Sequence, residues 1–216
     1  DQMAERGFLT GRQMAGSFQF LHSRELVWSA LTRERLLGER LRPNDLMAWN
    51  ADVTRMPAAM HSEYLRRCYL RNELAEGLYP VEGRPVSLGD IHQPIFAVGT
   101  EKDHVSPWRS VYKLHRMTST HLTFVLTNGG HNAGIVSEPG HPNRHYAMHT
   151  SKPGDPVRDA DAWQEQARRH EGSWWEAWHA WLLAHGSHAQ VPARRTDSAA
   201  ALCDAPGTYV MVRYND

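Results

Sequence analysis

Two short runs of β-forming residues, PIFAVGT at 94–100 and HLTFVLT at 121–127, constrain this chain more than any other feature. Both are apolar and bounded by proline, glycine or polar turn residues, the pattern of a buried strand. Between them, EKDHV reads as a loop, Ser106-Pro107 as a helix start and WRSVYKLHRM as a helix. Strand, helix and strand make one βαβ unit, whose strands pair in parallel through a right-handed crossover. In such sheets, functional groups collect beyond the carboxyl ends of the strands. Asp103 stands just past the first strand, and His131 just past the second in the glycine-rich stretch LTNGGHNAG. Adjacent parallel strands would carry both loops to one edge.

A carboxylate after one strand and a histidine after the next match the last two members of an α/β-hydrolase triad, in the order nucleophile, acid, histidine. The carboxylate holds the imidazole in one tautomer and stabilises its charged form, so that the ring can take a proton from a nucleophile. The plainer alternative has Asp103 capping the following helix and His131 in solvent. The nucleophile should occupy a G-x-S-x-G or G-x-C-x-G elbow upstream, and the sequence contains none. Cys68, in YLRRCYLRN, reads as a buried structural thiol within a helix, and Cys203 follows the histidine in the wrong order. The chain therefore carries an acid and a base with nothing for them to activate. Its start at Asp1 suggests a piece of something longer.

The rest of the chain is read more coarsely. The first eighty residues are mostly helical in pattern: Leu26, Leu31 and Leu36 lie among polar residues, and a break follows at Arg42-Pro43-Asn44-Asp45. A cleaner helix begins after Met56-Pro57, puts Met60, Tyr64 and Cys68 on one face, and stops near Gly77. EGRPVSLGD, at 82–90, is turn-rich and reads as a junction. Residues 140–156 read as loop, followed by helices near 160–170 and over 173–185. The second of these carries a Ser173–Glu176 capping box and ends at Gly186. With only two strands, the sheet is expected to be incomplete, with an open edge.

Composition excludes several classes of function. Lys plus Arg and Asp plus Glu number 24 each, so no basic footprint for nucleic acid exists. No apolar run approaches the roughly 20 residues that span a bilayer, and no signal-peptide pattern opens the chain. Two cysteines make no disulfide framework, so a reducing cytoplasm is expected. His141, His145 and His149 would align as metal ligands on a helix, but nearby prolines and glycine oppose that helix, and no metal is expected. Trp174, Trp175, Trp178 and Trp181 could grip a hydrophobic polymer, yet their helical spacing favours packing against the sheet. Arg66, Arg67 and Arg71 could hold phosphates; a solvated helix face is the simpler reading.

Several long motifs, in order, resemble the carboxyl-terminal half of the polyhydroxyalkanoate synthase family. LMAWNADVTRMPAAMHSEYLRRCYLRNELAEG is similar to the segment around the family's W-N-x-D-x-T-R-x-P-A-A-M-H pattern. TEKDHVSPW resembles its R-E-D-H-I-x-P-W, GGHNAGIV its G-S-G-H-I-A-G-V, EGSWWEAWHAWL its G-S-W-W-P-x-W, and DAPGTYVMVR its ending.

The resemblance implies an α/β class and the carboxyl-terminal part of an α/β-hydrolase fold, with a mainly helical cap over 1–80 and the core over 81–216. It implies acyl transfer from 3-hydroxyacyl-coenzyme A to a cysteine upstream of Asp1, then extension of a polyester with release of coenzyme A. Asp103 and His131 match the catalytic aspartate and histidine; His131 would generate the thiolate, and Asp103 would orient His131 or help deprotonate the monomer's 3-hydroxyl. His104, Asn132 and Trp108 are assigned to the substrate pocket. No cofactor is implied, coenzyme A thioester being a substrate. The expected partners are that thioester and the polyester, a second copy docked through the cap, and the surface of a cytoplasmic polymer granule rather than a membrane. Three departures surround the site: Asn132 for an apolar residue, Lys102 for an acid, and VSEPGHP for N-P-P. They keep two alternatives open, a thioesterase or polyester depolymerase on the same scaffold, and a non-catalytic granule- or partner-binding relative. Isolated, the 216 residues are expected to be inactive.

Overall fold

A computed structural model describes residues 3, 5–11, 13, 14, 38, 54–193 and 202–211. The leucines at 26, 31 and 36 and the break at 42–45 lie outside the described residues. Two compact units are present, one drawn from residues up to Arg71 together with those from Ala193 onward, the other spanning Asn72–Pro192.

In the first unit, β1 (Phe8–Leu9) pairs antiparallel with β2 (Met56–Pro57), and the Arg55 guanidinium lies 4.5 Å from the centroid of the Phe8 ring. Helix α1 (Ala58–Tyr64) starts directly after Met56-Pro57, as the sequence suggests, with Pro57 as its N-cap. It widens into a π-helical turn at Leu65–Leu70. Met60 and Tyr64 are 59% and 45% exposed, so the expected apolar face is not buried, and Cys68 is only half-buried. The helical run ends before Asn72, whose φ of 52° stops it five residues short of Gly77. Arg67 pairs with Glu63 at 2.7 Å along the helix.

The second unit opens with a hairpin where the sequence reads as a junction: β3 (Tyr79–Val81) and β4 (Arg84–Val86) are joined by Glu82-Gly83. Both turn residues have positive φ, 50° and 77°, as a tight two-residue hairpin loop requires. Next come β5 (Ile95–Thr100), α2 (Trp108–Tyr112) and β6 (Leu122–Thr127). β5 and β6 pair in parallel over their whole length, from Ile95↔Leu122 to Thr100↔Thr127.

The expected two-stranded sheet is a four-stranded one. β7 (His145–Ser151) pairs antiparallel with β6, and β8 (Arg168–Glu171) antiparallel with β7, in the order β5-β6-β7-β8. Both added strands fall where the sequence reads as loop or helix. β7 alternates imperfectly, and its His145, His149 and Thr150 obscure the period of two. β8 is Arg-Arg-His-Glu, a charged edge strand held by backbone pairing and by the His170 ring stacked on Tyr146 at 4.9 Å. His145 and His149 therefore stand about 13 Å apart along an extended strand instead of one helical turn apart.

β6 is buried at all six positions, and its residues alternate between two layers. Phe124 and Leu126 face α2 and α3 (Ala160–Gln166), in a cluster with Trp108, Tyr112, Ala147 and Trp163. Val125 faces α4 (Trp174–His185), with Tyr146, Trp174 and the partly buried Phe96, Val98 and Met148. Of the four tryptophans, Trp174 and Trp181 pack on Phe96, at centroid distances of 6.3 and 5.6 Å, while Trp178 remains 42% exposed. Ser173 is the N-cap of α4 and Gly186 its C-cap, as the sequence suggests. No helix among the described residues is long and apolar enough to cross a membrane.

The mixed sheet hinges on filling the α2/α3 side. Phe124→Ala, at a position with no exposed surface, should cost about 3–5 kcal/mol of unfolding free energy in a urea titration.

Candidate active site

The parallel pairing delivers Asp103 and His131 to one edge. Backbone bonds continue past the strand ends, with Glu101 N donating to Thr127 O and Lys102 N to Gly129 O, each at 2.9 Å, so the two loops are tied before either side chain is placed. His131 Nδ1 then lies 2.9 Å from Asp103 Oδ2. The other oxygen, Oδ1, accepts from the amides of Val105 at 2.9 Å and Ser106 at 2.7 Å. Asp103 does not cap α2, whose N-cap is Pro107; one of its oxygens holds the turn ahead of that helix and the other holds the histidine.

Burial disfavours the Asp103 carboxylate, but the Ser106 amide, His131 and the Val105 amide outweigh it, so its pKa lies below the ordinary value. An ionised Oδ2 requires the proton on Nδ1, which makes Nε2 the basic atom of the ring. The Asp103 side chain is 8% exposed and that of His131 44%, so the acid is sheltered and the base presented. Among the described residues, no hydroxyl or thiol bonds to that ring.

The glycines around His131 have a packing cause. A Cβ on Gly134 would sit 2.6 Å from Thr100 Cγ2 and 2.9 Å from the Gly130 carbonyl oxygen. A Cβ on Gly129, at φ +110°, would sit 2.9 Å from Gly134 Cα. The loop doubles back on the end of β5 at a distance that no side chain permits.

Side chains from elsewhere hold this loop by its carbonyls. Arg144 Nη2 donates to Ala133 O at 2.7 Å, Trp174 Nε1 to Gly134 O at 3.2 Å and Trp175 Nε1 to Ile135 O at 2.9 Å. Ser173 Oγ donates to Ser137 O while accepting from Trp175 N. Sequence reasoning assigns none of these a place at the site. The start of α4 was legible as a cap and an aromatic stripe, but its donors to the histidine loop were not.

The remaining candidates divide. His104 is exposed and Asn132 half-buried, each beside a member of the pair in sequence, and the Asn132 carbonyl turns the loop by accepting from Ile135 N and Val136 N. Trp108 departs from its pocket assignment. It is 5% exposed, packs against Tyr112 and Trp163, and closes on Gly99, so its indole serves the core. Among the described residues, no cluster of three or more potential ligands could hold a metal ion.

No family model matches the chain. It is 40% identical over 212 residues, 98% of its length, to the poly(3-hydroxyalkanoate) polymerase subunit PhaC of Rhizobium meliloti (strain 1021). It is 39% identical over 216 residues, 99% of its length, to the poly(3-hydroxyalkanoate) polymerase of Methylorubrum extorquens. It is also 35% identical over 208 residues, 95% of its length, to the corresponding PhaC subunit of Cupriavidus necator. The aligned parts are 34%, 35% and 35% of those proteins, so the chain spans about a third of the relatives it matches. The resemblance read from the motifs is thus shown across nearly the whole chain, which is homologous to a portion of a poly(3-hydroxyalkanoate) polymerase.

A carboxylate with a depressed folded-state pKa adds stability that is present above its unfolded value, about 3.9, and lost as pH falls through the folded value. Asp103→Asn should therefore flatten the acid limb of the stability curve between about pH 5 and 3, followed by urea unfolding at each pH. Trp175→Phe keeps most of the ring but removes the donor to Ile135 O. Amide exchange at Ile135 and Val136 should quicken about fivefold, the equivalent of about 1 kcal/mol for one lost hydrogen bond.

Proposed function

We propose that this chain supplies the general base and its orienting acid for a polyhydroxyalkanoate synthase. The observation that carries the reading is the 2.9 Å bond from His131 Nδ1 to Asp103 Oδ2, which leaves an accessible Nε2, in a chain homologous to polymerases of that name. Nε2 takes the proton of a cysteine thiol that is not among the described site residues. The thiolate attacks the thioester carbonyl of a 3-hydroxyacyl-coenzyme A, the carbonyl–sulfur bond to coenzyme A breaks, and the imidazolium returns its proton to the departing thiolate. For chain extension, the same imidazole takes the proton of a 3-hydroxyl as it attacks the carbonyl of the cysteine thioester; the carbonyl–sulfur bond breaks and the imidazolium returns the proton to the departing cysteine thiolate. Asp103 holds the ring in the tautomer that both steps need and stabilises its charged form.

The same reading places the paired loops on an α/β-hydrolase core, with residues 1–80 contributing to a cap through which two copies associate, and with the polymer granule as the working surface. His104 and Asn132 flank the pair and would touch substrate. A hydrolytic relative is the second reading, on one observation: beside the histidine, Asn132 and the VSEPGHP loop depart from the family's motifs.

A chimera tests both readings. The homologous third of the Rhizobium meliloti polymerase is replaced by this chain, and free thiol is followed during incubation with 3-hydroxybutyryl-coenzyme A. The chimera should release coenzyme A and accumulate polymer, His131→Ala should lower the rate about a thousandfold or more, and the 216 residues alone should release none. Free hydroxy acid in place of polymer would select the hydrolase. Undiminished turnover by His131→Ala, or turnover by the isolated chain, would refute the assignment.

A further inference from the structure

His131 stands on a short turn, residues 130–134, closed by Gly134 N donating to Gly130 O at 2.8 Å. A second carbonyl of the turn, Asn132 O, is also taken by the main chain, from Ile135 N and Val136 N. Ala133 O is not. Its hydrogen comes from a side chain eleven positions on, Arg144, whose Nη2 lies 2.7 Å away. A hydrogen bond donated by a cation is roughly twice as strong as a neutral one. The same guanidinium reaches the other side of the turn, where Nη1 lies 3.0 Å from the place that a Cβ on Gly129 would take. Arg144 therefore bears on the loop both before and after the histidine.

This arm starts from a fixed place. The β6–β7 ladder runs one residue past Thr127↔Tyr146, because Asn128 N donates to His145 O at 3.1 Å. The Asn128 side chain completes the bracket: Nδ2 donates to Asn143 O at 2.8 Å, and Oδ1 accepts from His145 N at 3.2 Å. Arg144 O accepts from Gly172 N at 2.7 Å. The main chain on both sides of Arg144 is thus tied to the residue at which the histidine loop leaves β6. The head of the arm is fixed as well. His141 Nδ1 lies 3.0 Å from Pro142 O and carries the ring proton, so Nε2 accepts the second hydrogen of Arg144 Nη2 at 3.4 Å.

Arg144 is half-buried, its Nε is buried without a partner, and no carboxylate among the described residues pairs with it. A cation held this way is unfavourable for folding alone, and a neutral chain would fill the same space. What the guanidinium adds is the donor to Ala133 O. That donor matters because the two halves of the Asp103–His131 pair are unequally held. Asp103 is fixed by the Val105 and Ser106 amides, whereas the turn under His131 contains Gly130 and Gly134 and follows Gly129, which leave the backbone free to swing. We propose that Arg144 is a positioning residue of the acyl-transfer reaction: by holding Ala133 O it keeps the His131 ring bonded through Nδ1 to Asp103, with Nε2 directed at the thiol or the 3-hydroxyl. It acts through the loop and touches no substrate. The inference rests on the reading of His131 as the general base.

Two measurements test it, one of them without turnover. In the whole chain labelled with nitrogen-15, the ring nitrogens of His131, identified by their loss in His131→Gln, are followed at about pH 8, above the ordinary imidazole range. One protonated and one bare nitrogen are expected. Arg144→Met keeps the length and loses the donor, so its two signals should move toward one another as the tautomers mix. Arg144→Lys keeps a donor and should leave them apart. Arg144→Gln, too short to reach Ala133 O, replaces Arg144→Met if that variant does not fold. In the chimera with the Rhizobium meliloti polymerase, Arg144→Met should lower kcat about tenfold with KM unchanged, and Arg144→Lys should recover most of the loss. Unmoved nitrogen signals in folded Arg144→Met or Arg144→Gln would overturn the proposal. So would equal losses in Arg144→Met and Arg144→Lys, which would reduce the guanidinium to packing. Undiminished turnover by His131→Ala would instead remove the general-base reading, whereas the nitrogen signals report on Arg144 alone.

Discussion

The in-register parallel pairing of β5 and β6 is the constraint on which the rest depends. It sets Thr100 opposite Thr127, and the ladder then runs on through Glu101 and Lys102 into the two loops. Register is secured by burial. β6 has no exposed position, so a slip of one residue would exchange Phe124 with Val125 between the two aromatic layers. The distance between a carboxylate and an imidazole 28 positions apart is thus inherited from the core, and only its last ångström is decided by the side chains themselves.

Those side chains are held economically. One oxygen of Asp103 bonds to two amides of its own turn, which leaves the other aimed at the ring. The histidine loop lies flat on the end of β5 because Gly129 and Gly134 leave no Cβ in the way, and its carbonyls are taken by Arg144, Trp174, Trp175 and Ser173. The amino end of α4 therefore has two tasks, packing on Phe96 from one side and donating to the loop from the other. A loop with few side chains of its own acquires order from a helix about forty residues further on.

The two ends of the sheet differ in kind. At one, the polar atoms are paired so that a single basic nitrogen is left facing solvent. At the other, His115 Nε2 and Trp163 Nε1 are buried without hydrogen-bond partners. Homology over about a third of the poly(3-hydroxyalkanoate) polymerases bears on the first end, and supports the proposal of acyl transfer there.

Much was legible in the sequence because it is local. PIFAVGT and HLTFVLT are apolar, short and bounded, so their strands emerge within a residue of their predicted ends, and the proline and serine at helix starts mark α1 and α4 equally well. The long motifs spread along the chain were sufficient to name the family. What tertiary structure alone decided is whatever depends on a distant partner. β7 and β8 hold together by backbone pairing that their histidines and arginines do not advertise, Trp108 exchanges an expected pocket for the core because α2 lies directly on the sheet, and Met60 and Tyr64 keep a helical period without a surface to bury it. Periodicity reports which face of an element is apolar; only the folded chain decides what that face meets.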